Sequence, residues 1–129
     1  MLRRFFLNQQ GFTLIELMVV ISILGILSMV AVPKFSNSIA LANTAKIQTD
    51  LQTIDTAIIM YQAQNGKYPQ NIVTDLQPYL LDADKLAPPQ GKCMVKGGTT
   101  LEITDTVYKL NNQGERAVFQ EHVSTDFGR

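Results

Sequence analysis

A single cysteine, Cys93, and a single histidine, His122, supply all the thiol and imidazole in this chain of 129 residues. No intrachain disulfide can therefore form, and no Cys/His set with metal-ligand spacing exists. No glycine-rich phosphate loop is present either, so catalysis is not expected. Cys93 reads as a buried free thiol, and His122 as a solvated side chain or a structural hydrogen-bonder. Net charge is also missing: eleven basic residues balance eleven acidic ones. Nothing in that balance points to nucleic acid as a general partner.

What the sequence does have is one long apolar run. From Gly11 to Val32 it reads Gly-Phe-Thr-Leu-Ile-Glu-Leu and then almost unbroken hydrophobic residues. About twenty apolar residues, rising roughly 1.5 Å each, cross a bilayer as a helix. Glu16 is the one acid in that run. A carboxylate at membrane depth costs roughly 2.5–3.5 kcal/mol and normally faces a protein partner or a cavity rather than lipid. Ahead of the run, Met1 to Gln10 carries Arg3 and Arg4 and no acid, which suits a leader held in the cytoplasm by its charge. Residues beyond Pro33 are then expected outside the cytoplasmic membrane. A plain secretory signal cut after Ala40 or Ala42 is the competing reading. Against it stand the length of the run, the presence of Glu16, and the distance of those small residues from its end.

Arg3 and Arg4, followed by Gly11-Phe12-Thr13-Leu14-Ile15-Glu16-Leu17 and the apolar run, resemble the class III signal of type IV prepilins and type II secretion pseudopilins. The resemblance implies that a membrane peptidase cleaves after Gly11 and methylates the new amino terminus at Phe12. Because that cut precedes the apolar helix, the helix stays in the mature protein. It further implies that Glu16 meets the Phe12 amine of a neighbouring subunit during assembly. Gly25 and Pro33 match positions that bracket a segment able to lose helical hydrogen bonds inside a filament. From the residues alone, glycine weakens a helix interior and proline removes a donor, so a kink is expected near Pro33. That proline merely marks the membrane exit is an equally open reading.

Removal of the leader takes Arg3 and Arg4 with it and leaves a mildly acidic mature chain. Fewer than about 100 residues then remain for a globular core, which is marginal alone and is expected to pack on the helix that anchors it. From Lys34 to Asn65 the pattern turns amphipathic. Ile47, Leu51, Ile54, Ile58 and Tyr61 are spaced alternately four and three apart, while Lys46, Gln48, Asp50, Gln52 and Asp55 fall elsewhere. This stripe is the face on which a small domain folds, a coiled-coil dimer being the weaker reading with only about two heptads. Asn65-Gly66 and then Pro69 give a stop. The spacing thus predicts one helix of about fifty residues, roughly 80 Å if straight. Gly66-Lys67-Tyr68-Pro69 again resembles the pilin and pseudopilin pattern at the exit from the long helix.

Further on, Asp75 to Leu81 is expected to form a short helix capped by Thr74 or Asp75, with Leu76, Tyr79 and Leu80 inward. Asp82 to Gly91 reads as loop. Lys92 to Lys96 and Thr99 to Ile103 flank a two-residue turn at Gly97-Gly98. Thr106 to Leu110 and Arg116 to Gln120 flank the turn cluster Asn111-Asn112-Gln113-Gly114. The last residues, Val123 to Arg129, either fray or cover an edge.

These readings combine into an α+β, type IV pilin-like fold, with one long amino-terminal helix packed on a small antiparallel sheet of three or four strands. The expected organisation is a leader at 1–11, a transmembrane or filament-core helix at 12–33, its amphipathic continuation at 34–65, and a loop and sheet region at 66–129. The resemblance implies a homo-oligomeric filament subunit for secretion, adhesion and motility, or DNA uptake. Its expected partners are a prepilin peptidase and methyltransferase, an inner-membrane assembly platform and lipid, with nucleic acid only in a DNA-uptake pilus. It would sit first as a single-pass protein of the cytoplasmic membrane, then in a periplasmic or cell-surface filament. A monomeric, membrane-anchored binding module is the alternative. No cofactor is expected, calcium being the alternative. Many major pseudopilins bind calcium through an acidic carboxyl-terminal loop, whereas here that region offers Glu115, Glu121 and Asp126, dispersed among other residues.

Overall fold

The computed structural model describes residues 11–83 and 86–128, so all of the expected leader except Gly11 lies outside the described residues. Those described form two compact units divided between Ser36 and Asn37. The long helix α1 (Leu14–Asn65) begins in the first unit and is unbroken through Gly25 and Pro33. In the first unit its side chains are exposed, and an 18-residue window there has a mean hydropathy of 2.6 with no part buried. Its length and composition are those of a membrane-crossing segment, whose every backbone group must be satisfied within the helix. Ser22 and Ser28 meet the same demand by donating their hydroxyls to the carbonyls of Met18 and Leu24, each at 2.7 Å.

In the second unit α1 is the floor of the core. Ile47, Leu51, Ile54 and Ile58 are wholly buried and Tyr61 is partly so, along the stripe that the four-and-three spacing predicts. Ala40 and Thr44 extend the stripe at the same register, and Ala57 widens it. Leu76, Leu80, Cys93, Tyr108, Ala117, Phe119 and Phe127 close over it. Each fully buried Ile or Leu contributes roughly 1.5–3 kcal/mol, so this stripe is a large part of what holds the rest of the second unit to the helix. The helix stops at the Asn65-Gly66 signal. Gly66 takes φ +67° and donates its N–H to the Gln62 carbonyl at 2.8 Å, a left-handed cap.

The short helix lies earlier than the sequence suggests. It is α2 (Ile72–Asp75), capped by Asn71, whose side chain accepts from the Val73 and Thr74 amides, rather than a helix over Asp75 to Leu81 capped by Thr74 or Asp75. The Asp75 carboxylate instead turns back to accept from the Gln70 and Asn71 amides at 2.8 and 3.1 Å. Beyond Asp75 the chain continues in turns closed on the Leu76 carbonyl by the Tyr79 and Leu80 amides. Leu76 and Leu80 are buried and Tyr79 packs against the core, so the inward face is as expected although the boundaries are not.

Four strands follow, as two separate antiparallel ladders rather than one sheet. β1 (Lys92–Val95) pairs with β2 (Thr99–Glu102), Val95 opposite Thr99. The connection is therefore the three residues Lys96-Gly97-Gly98, not two. Lys96 leaves the ladder because its amide is donated at 2.7 Å to the Asp126 carbonyl of the carboxyl-terminal segment. β3 (Lys109–Leu110) pairs with β4 (Ala117–Val118). Asn111 organises the turn between them, its side chain accepting from the Glu115 and Arg116 amides at 2.8 and 3.3 Å. Gly114 in that turn has φ +72°, and a Cβ placed on it would lie 2.4 Å from the Pro69 carbonyl oxygen. Only glycine allows the turn to lie against the Tyr68-Pro69 exit from α1.

The carboxyl-terminal residues cover an edge. Phe127 bridges to Val95 on the side of β1 away from β2, and the Gly128 amide reaches the Met94 carbonyl at 3.2 Å. The Phe127 ring is 1% exposed and stacks in the series Tyr108, Phe119, Phe127, with ring centroids 5.4 and 6.4 Å apart. Strand pairing and one aromatic plug thus fix the end of a chain that has no second cysteine to fix it.

Candidate functional site

The start of α1 gathers Gly11, Phe12, Thr13 and Glu16 around one shallow hollow. Thr13 is the N-cap of the helix and Glu16 its third residue. The Thr13 amide and hydroxyl each donate to one Glu16 carboxylate oxygen at 2.8 Å, and the Glu16 amide donates to the Thr13 hydroxyl at 3.3 Å. This is a reciprocal capping box, which satisfies two of the four orphan amides at a helix start. The carboxylate therefore has partners within its own chain. The Thr-x-x-Glu signature before an apolar run was present in Thr13-Leu14-Ile15-Glu16 and identifies Thr13 as the member of the site that apolarity alone misses.

Phe12 projects 85% exposed immediately before the cap, and Leu14, Ile15 and Leu17 are likewise exposed. Gly11 and Gly25 both lie in open space, where an added Cβ would meet nothing within 4 Å. Neither glycine is therefore demanded by packing inside this chain. Pro33, inside α1, brings no N–H for the Met29 carbonyl, so the helix is weakest at the position marked as a break although its path is continuous. The structure thus brings Phe12 and Glu16 to one place and leaves Gly25 and Pro33 along the helix.

A second polar system lies within the second unit, where α1 side chains clip the strands to the helix. Asn43 donates to the Gln90 and Lys92 carbonyls, both at 2.9 Å. The Thr44 hydroxyl donates to Ala40 and accepts the Met94 amide, each at 2.7 Å. Asp50 accepts the Tyr108 hydroxyl at 2.6 Å, and Asp55 accepts the buried Ala117 amide at 2.7 Å. Burial, reinforced by Asp50, pushes the Tyr108 phenol far above its ordinary value. Burial also raises the Asp55 carboxyl, against the Ala117 bond and the Arg116 charge. These groups hold a fold together and have no ligand geometry of their own.

Cys93 is buried, and burial raises its thiol, which disfavours the nucleophilic thiolate. His122 lies 3.9 Å from Asp126 and edge-on to Phe127. Glu115 and Glu121 are exposed, and Asp126 accepts the Val123 amide at 3.0 Å. Among the described residues, no three or more of His, Cys, Asp and Glu come together in a way that could hold a metal ion.

Comparison with known proteins finds a family match on the same segment. Residues 7–32 match the family model of the prokaryotic N-terminal methylation motif. Over 62 residues the chain is 43% identical to the type II secretion system core protein G of Klebsiella pneumoniae, covering 48% of this chain and 44% of that protein. The corresponding protein of Vibrio cholerae is 43% identical over 62 residues, 48% of this chain and 42% of that one. The type IV major pilin protein PilE1 of Neisseria gonorrhoeae is 41% identical over 63 residues, 49% of this chain and 38% of that one. The chain therefore spans less than half the length of these curated relatives. No solved structure matches it. The apolar start of α1 with its capped Glu16 thus lies in the segment that matches the prokaryotic N-terminal methylation motif, and over about half of its length the chain is similar both to type II secretion core protein G and to a type IV major pilin.

Proposed function

We infer that this protein is a structural subunit of a type IV pilus or type II secretion pseudopilus. It is inserted in the cytoplasmic membrane as a single-pass precursor, cut after Gly11 and methylated on Phe12 by a prepilin peptidase. An inner-membrane assembly platform then moves it into a helical filament. The observation that carries this reading is the matched motif over residues 7–32, which joins the Gly11-Phe12 bond to a capped acid and an uncovered apolar helix.

The physics of that segment supports the assignment. Lipid tails are as apolar as leucine, so apolar helices in a bilayer gain little by associating through hydrophobicity alone, and polar contacts decide which of them meet. Before assembly the Glu16 carboxylate is held by Thr13, which keeps it tolerable in the membrane. Cleavage creates a basic amine on Phe12, and methylation leaves it basic. The amine of a neighbour then offers Glu16 a full charge in place of two neutral donors, and charge-assisted bonds are roughly twice as strong as neutral ones. Head-to-tail contacts of this kind do not close on themselves and generate an open helix.

The mass of the mature amino terminus, measured in cells with and without the prepilin peptidase, tests the reading. The expected result is a chain beginning at N-methylated Phe12 only when the peptidase is present. A mature protein that retains Met1 in both strains would refute it and return the chain to a membrane-anchored monomer. Whether the filament serves secretion, adhesion and motility, or DNA uptake follows from the genes that accompany it.

A further inference from the structure

We propose that the outer edge of β2 is a strand-pairing surface for a second copy of this chain, and that Gln120 holds it shut from within. The register shows where the edge faces. The Met94 amide goes to Thr44 and the Met94 carbonyl receives Gly128, so neither is used by β2. Met94 opposite Thr100 is thus a non-hydrogen-bonded pair, and the backbone groups of Thr100, and of Glu102 two residues on, point away from β1. Among the described residues no strand pairs on that side. The Glu102 carbonyl is instead met by the Gln120 side-chain amide at 3.0 Å, which also donates to the Thr104 hydroxyl at 2.7 Å.

Gln120 is held there at a cost. With Glu121 it forms a two-residue turn between Phe119 and His122, which exchange both amide bonds at 2.9 Å. Gln120 has φ +47° and Glu121 +68°, a left-handed pair in which neither residue is glycine or asparagine. The Gln120 Oε1 atom is buried without a hydrogen-bond partner among the described residues. Strain at two adjacent residues and an unmatched acceptor together indicate that the side chain's position matters more than the comfort of its turn. An exposed strand edge is a template for another chain, and covering it is a recognised way to prevent pairing.

The occupant is specified by self-complementarity. Two β2 strands set antiparallel about Leu101 place Thr100 opposite Glu102 as an outward hydrogen-bonded pair and Leu101 opposite itself, with no like charges opposed. Such a two-fold contact is independent of the filament contacts made by α1.

The test compares the full chain in detergent with Gln120→Ala and with the double variant Gln120→Asn/Glu121→Gly. The double variant suits the turn better but shortens the reach to Glu102. Amide hydrogen exchange is read at Thr100 and Glu102 over a dilution series. Both variants should show concentration-dependent protection of those two amides, at least about tenfold above the parent, equivalent to about 1.4 kcal/mol. Adding Thr100→Pro, which removes an outward donor at an edge, should abolish it. Unprotected amides in folded variants at every concentration would overturn the proposal, as would dimers protected only at α1.

Discussion

Gly114→Ala is the substitution whose effect can be worked most directly from the coordinates. Two separate costs meet at this residue. The first is conformational, since φ +72° places an L-residue in the left-handed region at roughly 1–2 kcal/mol. The second is steric: the new methyl would sit 2.4 Å from the Pro69 carbonyl oxygen and 3.2 Å from the Tyr68 Cβ. The nearest of these atoms belongs to backbone and cannot rotate away, so the β3–β4 turn must lift from the Tyr68-Pro69 segment, an overpacking effect of about 1–3 kcal/mol. The sum is about 2–5 kcal/mol in a domain whose total stability is on the order of 5–15 kcal/mol. Gly66→Ala is the matched control, having φ +67° and no neighbour within 4 Å of an added Cβ. It should carry the conformational cost alone. Urea unfolding of the full chain in detergent, followed by near-ultraviolet circular dichroism of its four tyrosines, separates the two. If Gly114→Ala costs no more than Gly66→Ala, the close approach to Pro69 does not hold the turn and the reasoning is wrong.

Other outcomes follow from the polar contacts. Asp55→Ala leaves the buried Ala117 amide unmatched and should cost about 1–3 kcal/mol, whereas Asp55→Asn keeps an acceptor and should cost less than half as much by the same unfolding assay. Bonds from the Gln70 and Asn71 amides hold the Asp75 carboxyl below its usual range. Its contribution is therefore present above the unfolded value of 3.8 and is lost as pH falls through the lower folded value, so Asp75→Asn should flatten stability against pH in that acidic window. Burial shifts Asp55 the opposite way, so its ionisation opposes folding as pH rises above 3.8, and Asp55→Asn should remove that slope. Thr13→Val deletes the hydroxyl that Glu16 shares and spares the backbone donor. Membrane insertion should be retained, and filament yield should fall less than in Glu16→Ala, as measured by sheared-filament immunoblot. Equal yields from Glu16→Ala and the parent would contradict the pairing role.

Much of this architecture was legible because it rests on periodicity and on turn chemistry. The alternating spacing of Ile47, Leu51, Ile54, Ile58 and Tyr61 located the buried face, and Asn65-Gly66 located the end of α1. Ala40 and Thr44 stand outside the apolar pattern because a small or hydroxylated side chain carries little hydrophobic signal, although both lie at the stripe's register. Local turn chemistry places the β1–β2 loop one residue short, because the bond that removes Lys96 is made to Asp126, thirty residues later in the chain. The Gln120-Glu121 turn was invisible to turn rules, since its residues are not those that left-handed geometry favours. At the amino terminus the family signal marked Gly11, Phe12 and Glu16. The local role of Thr13 needed only the capping rule, which the apolar run overshadowed.

The way Phe127 secures the carboxyl terminus has a bearing on biogenesis. A clasp made of main-chain bonds and one aromatic ring reaches its final form without any thiol chemistry. Folding of this chain is thus uncoupled from the catalysts that install cystines, and reductants should leave its folded yield unchanged.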